Sequence, residues 1–127
     1  MLVIDTANVI GSRPDGWWRD RAGATRRFTQ RVRATVVAGL LEGPVTLVVE
    51  GAARAGVDEA VEDDVTVVHA PGEGDDAIAA LAGRGVVVVT ADRALAERVR
   101  TAGGQVVGPN WLLDQLLPAD EHNRPNF

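Results

Sequence analysis

Acidic residues stand beyond the ends of four short apolar runs of this sequence. Asp5 closes residues 2–4, Glu50 follows 45–49, Asp75 and Asp76 follow 65–68 after a Gly-rich loop, and Asp92 follows 86–89 through Thr90 and Ala91. The runs are short, rich in Val and unbroken by alternation, which is how strands buried on both faces of a parallel sheet read. In an open parallel sheet the carboxyl ends of the strands share one edge, and ligands bind there where strand order reverses. With the first strand central, Asp5, Asp75 and Asp92 converge across that crevice. At an effective dielectric of about 20, two unit charges about 4 Å apart repel by roughly 4 kcal/mol. A hard divalent cation relieves such repulsion, and an all-oxygen donor set favours Mg²⁺ or Mn²⁺ over zinc. A metal so placed polarises a phosphoryl oxygen, activates a water and steadies a leaving oxygen.

The blander reading makes each acid a helix N-cap. It suits Asp75, Asp76 and Asp92 one at a time, but neither Asp5 nor the coincidence of all of them at strand ends. Asp76 is a further ligand or a general base, or simply a solvated acid in a first helical turn. Thr90 can hydrogen-bond a carboxylate or water. His69 and His122 are too few and too far apart in sequence to make a recognisable site, and His69 reads as a partly buried polar residue before Pro71. Gly72-Glu73-Gly74-Asp75-Asp76-Ala77 also fits the dinucleotide-binding pattern G-x-G-x-x-A. It puts three acids where a pyrophosphate would lie and follows the third strand rather than the first, so a turn that presents Asp75 is the better reading.

The elements that must hold these residues alternate. A fifth, weaker strand covers 105–107. Residues 17–41 carry Trp18, Ala22, Phe28, Val32, Val36 and Leu40 near a helical period. Helices are expected over 75–82, 92–102 and 110–117, with Gly103-Gly104 as a stop and Pro109 as a start. Residues 52–64 read as a short helix or a loop. The alternation implies one three-layer α/β domain over 1–117, with right-handed crossovers, and a polar tail over 118–127.

Composition agrees with a single packed domain. The chain has 127 residues, 46% hydrophobic and 24% charged, with no cysteine. Thiolate metal sites, iron–sulfur clusters, disulfides and thiol nucleophiles are therefore excluded. Apolar runs are far shorter than the ~20 residues of a membrane span, and the first residues lack a signal peptide's basic start. A cytoplasmic protein without membrane attachment is expected.

Net charge is −5, but the distribution is uneven. Residues 13–33 hold seven arginines against Asp15 and Asp20, and the rest of the chain is strongly acidic. At helical spacing Arg19, Arg26 and Arg33 share a face, and Arg27 and Arg31 form another row. A track of Arg beside an acidic metal site can hold a polyanion. Trp17 is the candidate for stacking a base, whereas Trp18 and Trp111 are expected in the core.

Taken together, Asp5-x-x-Asn8-x-x-Gly11, the acid after strand two, Gly74-Asp75-Asp76-x-Ile78 and Thr90-x-Asp92 resemble the NYN branch of the PIN-like nucleases, most closely the bacterial YacP-like group, over residues 2–117. The resemblance implies a PIN-like fold with a mainly parallel five-stranded sheet in the order 3-2-1-4-5. It implies metal-dependent hydrolysis of RNA phosphodiesters, with Asp5, Asp75 and Asp92 as metal-binding acids and Asn8 positioning a ligand or water beside Asp5. Glu50 falls where relatives often carry Asp, Thr6 where they often carry Gly, and Ala91 where they often carry Ser. RNA is then the expected partner, alone or on a ribosome or another RNA–protein particle. The second function class is an RNA-binding domain of the same fold without catalysis. A phosphatase would want an Asp two residues after the first, and residue 7 is Ala. A signalling domain would need no acids at strand ends.

Overall fold

The computed structural model describes residues 1–118, so most of the polar tail, with His122, lies outside the described residues. Six strands form one sheet: β1 (Leu2–Asp5), β2 (Val45–Val49), β3 (Ala60–Glu62), β4 (Val65–His69), β5 (Val87–Val89) and β6 (Gln105–Val107). Their order is β3-β4-β2-β1-β5-β6, with every pair parallel except β3–β4. The five strands read from the sequence keep their expected order, with β1 at the centre.

The sheet has one strand more than expected. Ala60–Glu62 is exposed throughout and too short to show a pattern. The backbone makes it a strand: Asp63 and Asp64 both take left-handed φ, 54° and 65°, and Glu62 pairs with Val65. That is the two-residue hairpin turn whose twist matches its strands, and Asp tolerates its dihedrals better than most residues.

Among the described residues five α-helices complete the layers: α1 (Thr6–Gly11), α2 (Arg21–Val37), α3 (Gly74–Leu81), α4 (Arg93–Thr101) and α5 (Pro109–Leu113). Leu2, Ile4, Leu47 and Val67 pack against Val9, Phe28, Val32 and Leu112 of α1, α2 and α5. Val3, Val48 and Val88 pack against Ile78, Leu95 and Val99 of α3 and α4. β1 and β2 are thus buried on both faces, which is why their runs show no polar alternation. Among the described residues no helix is long and apolar enough to cross a membrane.

Three local expectations are corrected. The helix expected from residue 17 begins at 21, because Asp20 leaves helical dihedrals and its Oδ1 accepts from Gly23 N at 2.9 Å. A Cβ at 23 would lie 2.1 Å from the other Asp20 oxygen, so a larger residue there would make the capping carboxylate shift. Residues 17–19 form a separate 3-10 turn, so Arg19 does not continue the face of Arg26 and Arg33. Trp18 and Trp111, expected in the core, are exposed, as is Leu40 beyond the end of α2. Threonines take core positions instead: Thr25, Thr29 and Thr35 are buried, and each donates to the carbonyl four residues back. This is the bond by which a buried hydroxyl is satisfied inside a helix.

Candidate functional site

β1 runs into α1 without a loop, and Asp5 is the junction. Its backbone occupies the N-cap position, yet its side chain makes no capping bond. The carboxylate is 5% exposed and accepts from the Thr90 hydroxyl at 2.8 Å. Thr90, also buried, accepts in turn from the Asp92 backbone N–H at 3.1 Å. Asp92 caps α4 through Oδ1, which accepts from Leu95 N at 3.0 Å. Asn8 Oδ1 accepts from Ala91 N at 2.8 Å, so the first turn of α1 holds the loop between β5 and α4. Asp5, Asn8, Thr90 and Asp92 are therefore linked through short bonds across two neighbouring parallel strand ends.

Asp75 enters from α3 in its first turn, and Glu50 follows the last residue of β2. Glu50 leans on α3 where Gly74 leaves room: a Cβ at 74 would meet its Oε1 at 3.1 Å. Burial pushes the Asp5 carboxyl up to about 6, against the Thr90 hydroxyl and the nearby Asn8 backbone N–H, which hold it down; Asp75 and Glu50 push it further up. Asp75 is raised by burial and by Asp92, Glu50 and Glu73, with Arg98 opposing. The four acids thus act on one another at one edge of the sheet. Among the described residues no three of them already stand as a formed metal cage.

Asp76 is turned elsewhere. It pairs with Arg98 at 3.0 Å and its side chain is almost fully exposed, which fits a solvated first-turn acid.

The arginines divide. Arg26 and Arg27 are exposed on α2, while Arg33 is half-buried with an Nε that finds no partner among the described residues. Arg19 lies over the Trp18 ring at 5.9 Å. The arginine that shares a cleft with Glu50 is Arg21, not singled out in the sequence because the apparent helical period runs straight past the true start of α2. Its guanidinium lies 5.3 Å from the Trp17 ring centre, and both residues line a cleft of about 220 Å³ with Thr6, Ile10 and Glu50. The Gly51–Gly56 turn closes that cleft and packs tightly on α2, where a Cβ on Gly56 would fall 2.0 Å from the Ala22 carbonyl oxygen. A pattern search for acids and period cannot find Arg21; its place one residue after the Asp20 cap is the only signal.

Comparison with known proteins corrects the resemblance drawn from the acid spacing. Residues 25–111 match DUF188, the uncharacterized YaiI/YqxD family, and the chain belongs to that family, which is distinct from the YacP-like group. A search of curated proteins gives no match. Among solved structures, Rae1 (YacP) from Bacillus subtilis is similar in fold, with a TM-score of 0.61 and 20% identity, over 89% of this chain and 72% of that one. The fold is PIN-like. Strand order alone brings strand-end acids to one edge, so their spacing reports the fold more faithfully than the family.

Proposed function

We propose that this member of the YaiI/YqxD family is a metal-dependent endoribonuclease. One observation carries the reading: Asp5, Glu50, Asp75 and Asp92 lie at the carboxyl edge of the sheet, where burial and neighbouring acids push Asp5 up to about 6 and raise Asp75. The donors are all hard oxygens and carry uncompensated negative charge, which fits Mg²⁺ or Mn²⁺. Asp5, Asp75 and Asp92 would hold the ion, with Glu50 as a further donor. When bound, the metal supplies Lewis-acid polarisation of a phosphate and a water of lowered pKa.

The rest is the work of the chain. Thr90 fixes the orientation of the Asp5 carboxylate, and Asn8 fixes the loop that carries Asp92. Arg21 brings positive charge to the neighbouring cleft, and the half-buried Trp17 offers a ring against which a base can stack. The PIN-like fold and the basic segment support RNA as the substrate.

A second reading, an RNA-binding domain without catalysis, is favoured by the absence of a formed cage among the described residues. Incubation of a mixed RNA pool with Mn²⁺, Mg²⁺ or EDTA decides. Internal cleavage that needs metal, and that falls by orders of magnitude in Asp5→Asn, is expected. Cleavage at the wild-type rate by a folded Asp5→Asn protein overturns the assignment, and RNA binding with no cleavage in any metal selects the second reading.

A further inference from the structure

Where α1, α2 and α5 meet, a second cleft of about 460 Å³ opens, lined by Arg13, Arg27 and Arg31. We propose that this cleft is a subsite for a backbone phosphate of single-stranded RNA, away from the acidic edge. The inference rests on the nuclease reading for the identity of the polyanion, but not for its geometry.

Three guanidiniums face one carboxylate there. Asp15 is the sole acid on the lining, and its Oδ1 already accepts from the Trp17 backbone N–H at 3.2 Å. Among the described residues none of the three arginines is in an ion pair. Two are held in place from outside the cleft. Arg31 Nε donates to the Leu117 carbonyl at 3.0 Å, and Arg13 Nη2 donates to Asn110 Oδ1 at 3.1 Å. Burial and the proximity of Arg13 make the charge on Arg31 harder to keep, which an anion would relieve. Three like charges on a concave wall, two with fixed stems and with only Asp15 against them, are poised for a multiply accepting oxyanion, and guanidinium forks match phosphate oxygens.

The cleft is also placed for a strand that reaches the acids. Ile10 lines both this cleft and the one beside Glu50 and Trp17. At 1.5 Å rise per residue, α1 carries the chain only about 8 Å from Asp5 to Ile10. A phosphate held by the arginines therefore lies within reach of the acidic edge along one strand. Phe28 and Val9 make the floor apolar, so the site binds through the phosphate and reads no base edge.

The test is anisotropy of a short fluorescein-labelled oligouridylate, titrated with the full chain in EDTA across a salt series. Arg27→Ala alone removes an exposed side chain and spares the fold; Arg13→Ala is combined with it, and Arg84→Ala is the exposed control elsewhere. The double variant should weaken binding about tenfold and flatten the dependence of log Kd on log salt by about 1.4, whereas Arg84→Ala should change neither. Unchanged binding in the folded double variant overturns the subsite, and so does an equal loss in Arg84→Ala, which would mean diffuse attraction. Because EDTA removes hydrolysis, a wild type that binds through these arginines but never cleaves RNA sinks the nuclease reading alone. One that cleaves while the arginine variants bind normally sinks the subsite alone.

Discussion

Thr90 donates to Asp5 at 2.8 Å from the far side of a strand pair, and the same oxygen receives the Asp92 backbone N–H. One buried hydroxyl therefore sets both the orientation of the most buried acid and the start of the helix that carries another. Thr90→Val keeps the volume and removes both bonds. A hydrogen bond to a charged group contributes about 1.5–3 kcal/mol. Urea melts above pH 7 should show a loss of about 2 kcal/mol, the carbon-13 titration of Asp5 should move higher, and Thr90→Ser should restore both. An unmoved Asp5 titration in Thr90→Val would mean that the bond is incidental.

The raised proton affinity of Asp5 has a sign for stability. Its folded value of about 6 lies above the ~3.9 of an unfolded Asp, so the folded state keeps the proton longer. Asp5 contributes most below pH 4, and that contribution is lost as pH rises from about 4 through 6, by about 3 kcal/mol in all. Asp5→Asn should therefore be more stable than wild type at pH 7.5 without metal, with the gap closing near pH 4. Denaturation curves at several pH values check this; a constant difference across the range speaks against it.

Metal should reverse that order. Mn²⁺ at about a hundredfold over its Kd adds about 2.7 kcal/mol to a fold that binds it only when native. The wild type should melt higher with Mn²⁺ at pH 7.5 and show less effect at pH 5, where the proton competes for Asp5. Asp5→Asn and Asp75→Asn should each lose most of the shift, while Asp76→Asn, which loses only its bond to Arg98, should keep it. An equal shift in all four proteins would place the ion elsewhere.

The central strands were legible because burial on both faces makes them mostly Val, Leu and Ile between turns, and their order followed from the fold that the acids suggested. β3 was not, because an exposed three-residue strand is created by the Asp63-Asp64 turn rather than by its own side chains. α1 was invisible for another reason: six residues are too few to display a period. At the candidate site, the placement of Asp5, Asp75 and Asp92 beyond the carboxyl ends of strands was legible from position alone. Arg21 and the pairing of Asp76 with Arg98 were not, since both depend on where helices begin and on which helix lies alongside.

Gly56 offers a check on the wall of the smaller cleft. Gly56→Ala places a methyl inside the van der Waals radius of a backbone oxygen that no rotamer change can move. The turn must lift from α2, at about 3 kcal/mol or more in line with severe overpacking. Trp17 fluorescence should change with it, because the ring lines the same cleft. A variant as stable as wild type would mean that the turn slides freely.

Finally, the central strand joins partners distant along the chain: Leu2 is in register with Val45 on one side and with Val87 on the other. Loop closure on that scale is slow relative to local helix formation. Until β5 docks, Thr90 is not beside Asp5 and the acids share no edge. During synthesis the amino-terminal half thus emerges carrying its arginines but no assembled acidic edge, and the edge that the proposed chemistry needs forms only when the sheet is complete. A nascent chain stalled short of residue 87 should show no metal-dependent cleavage of RNA.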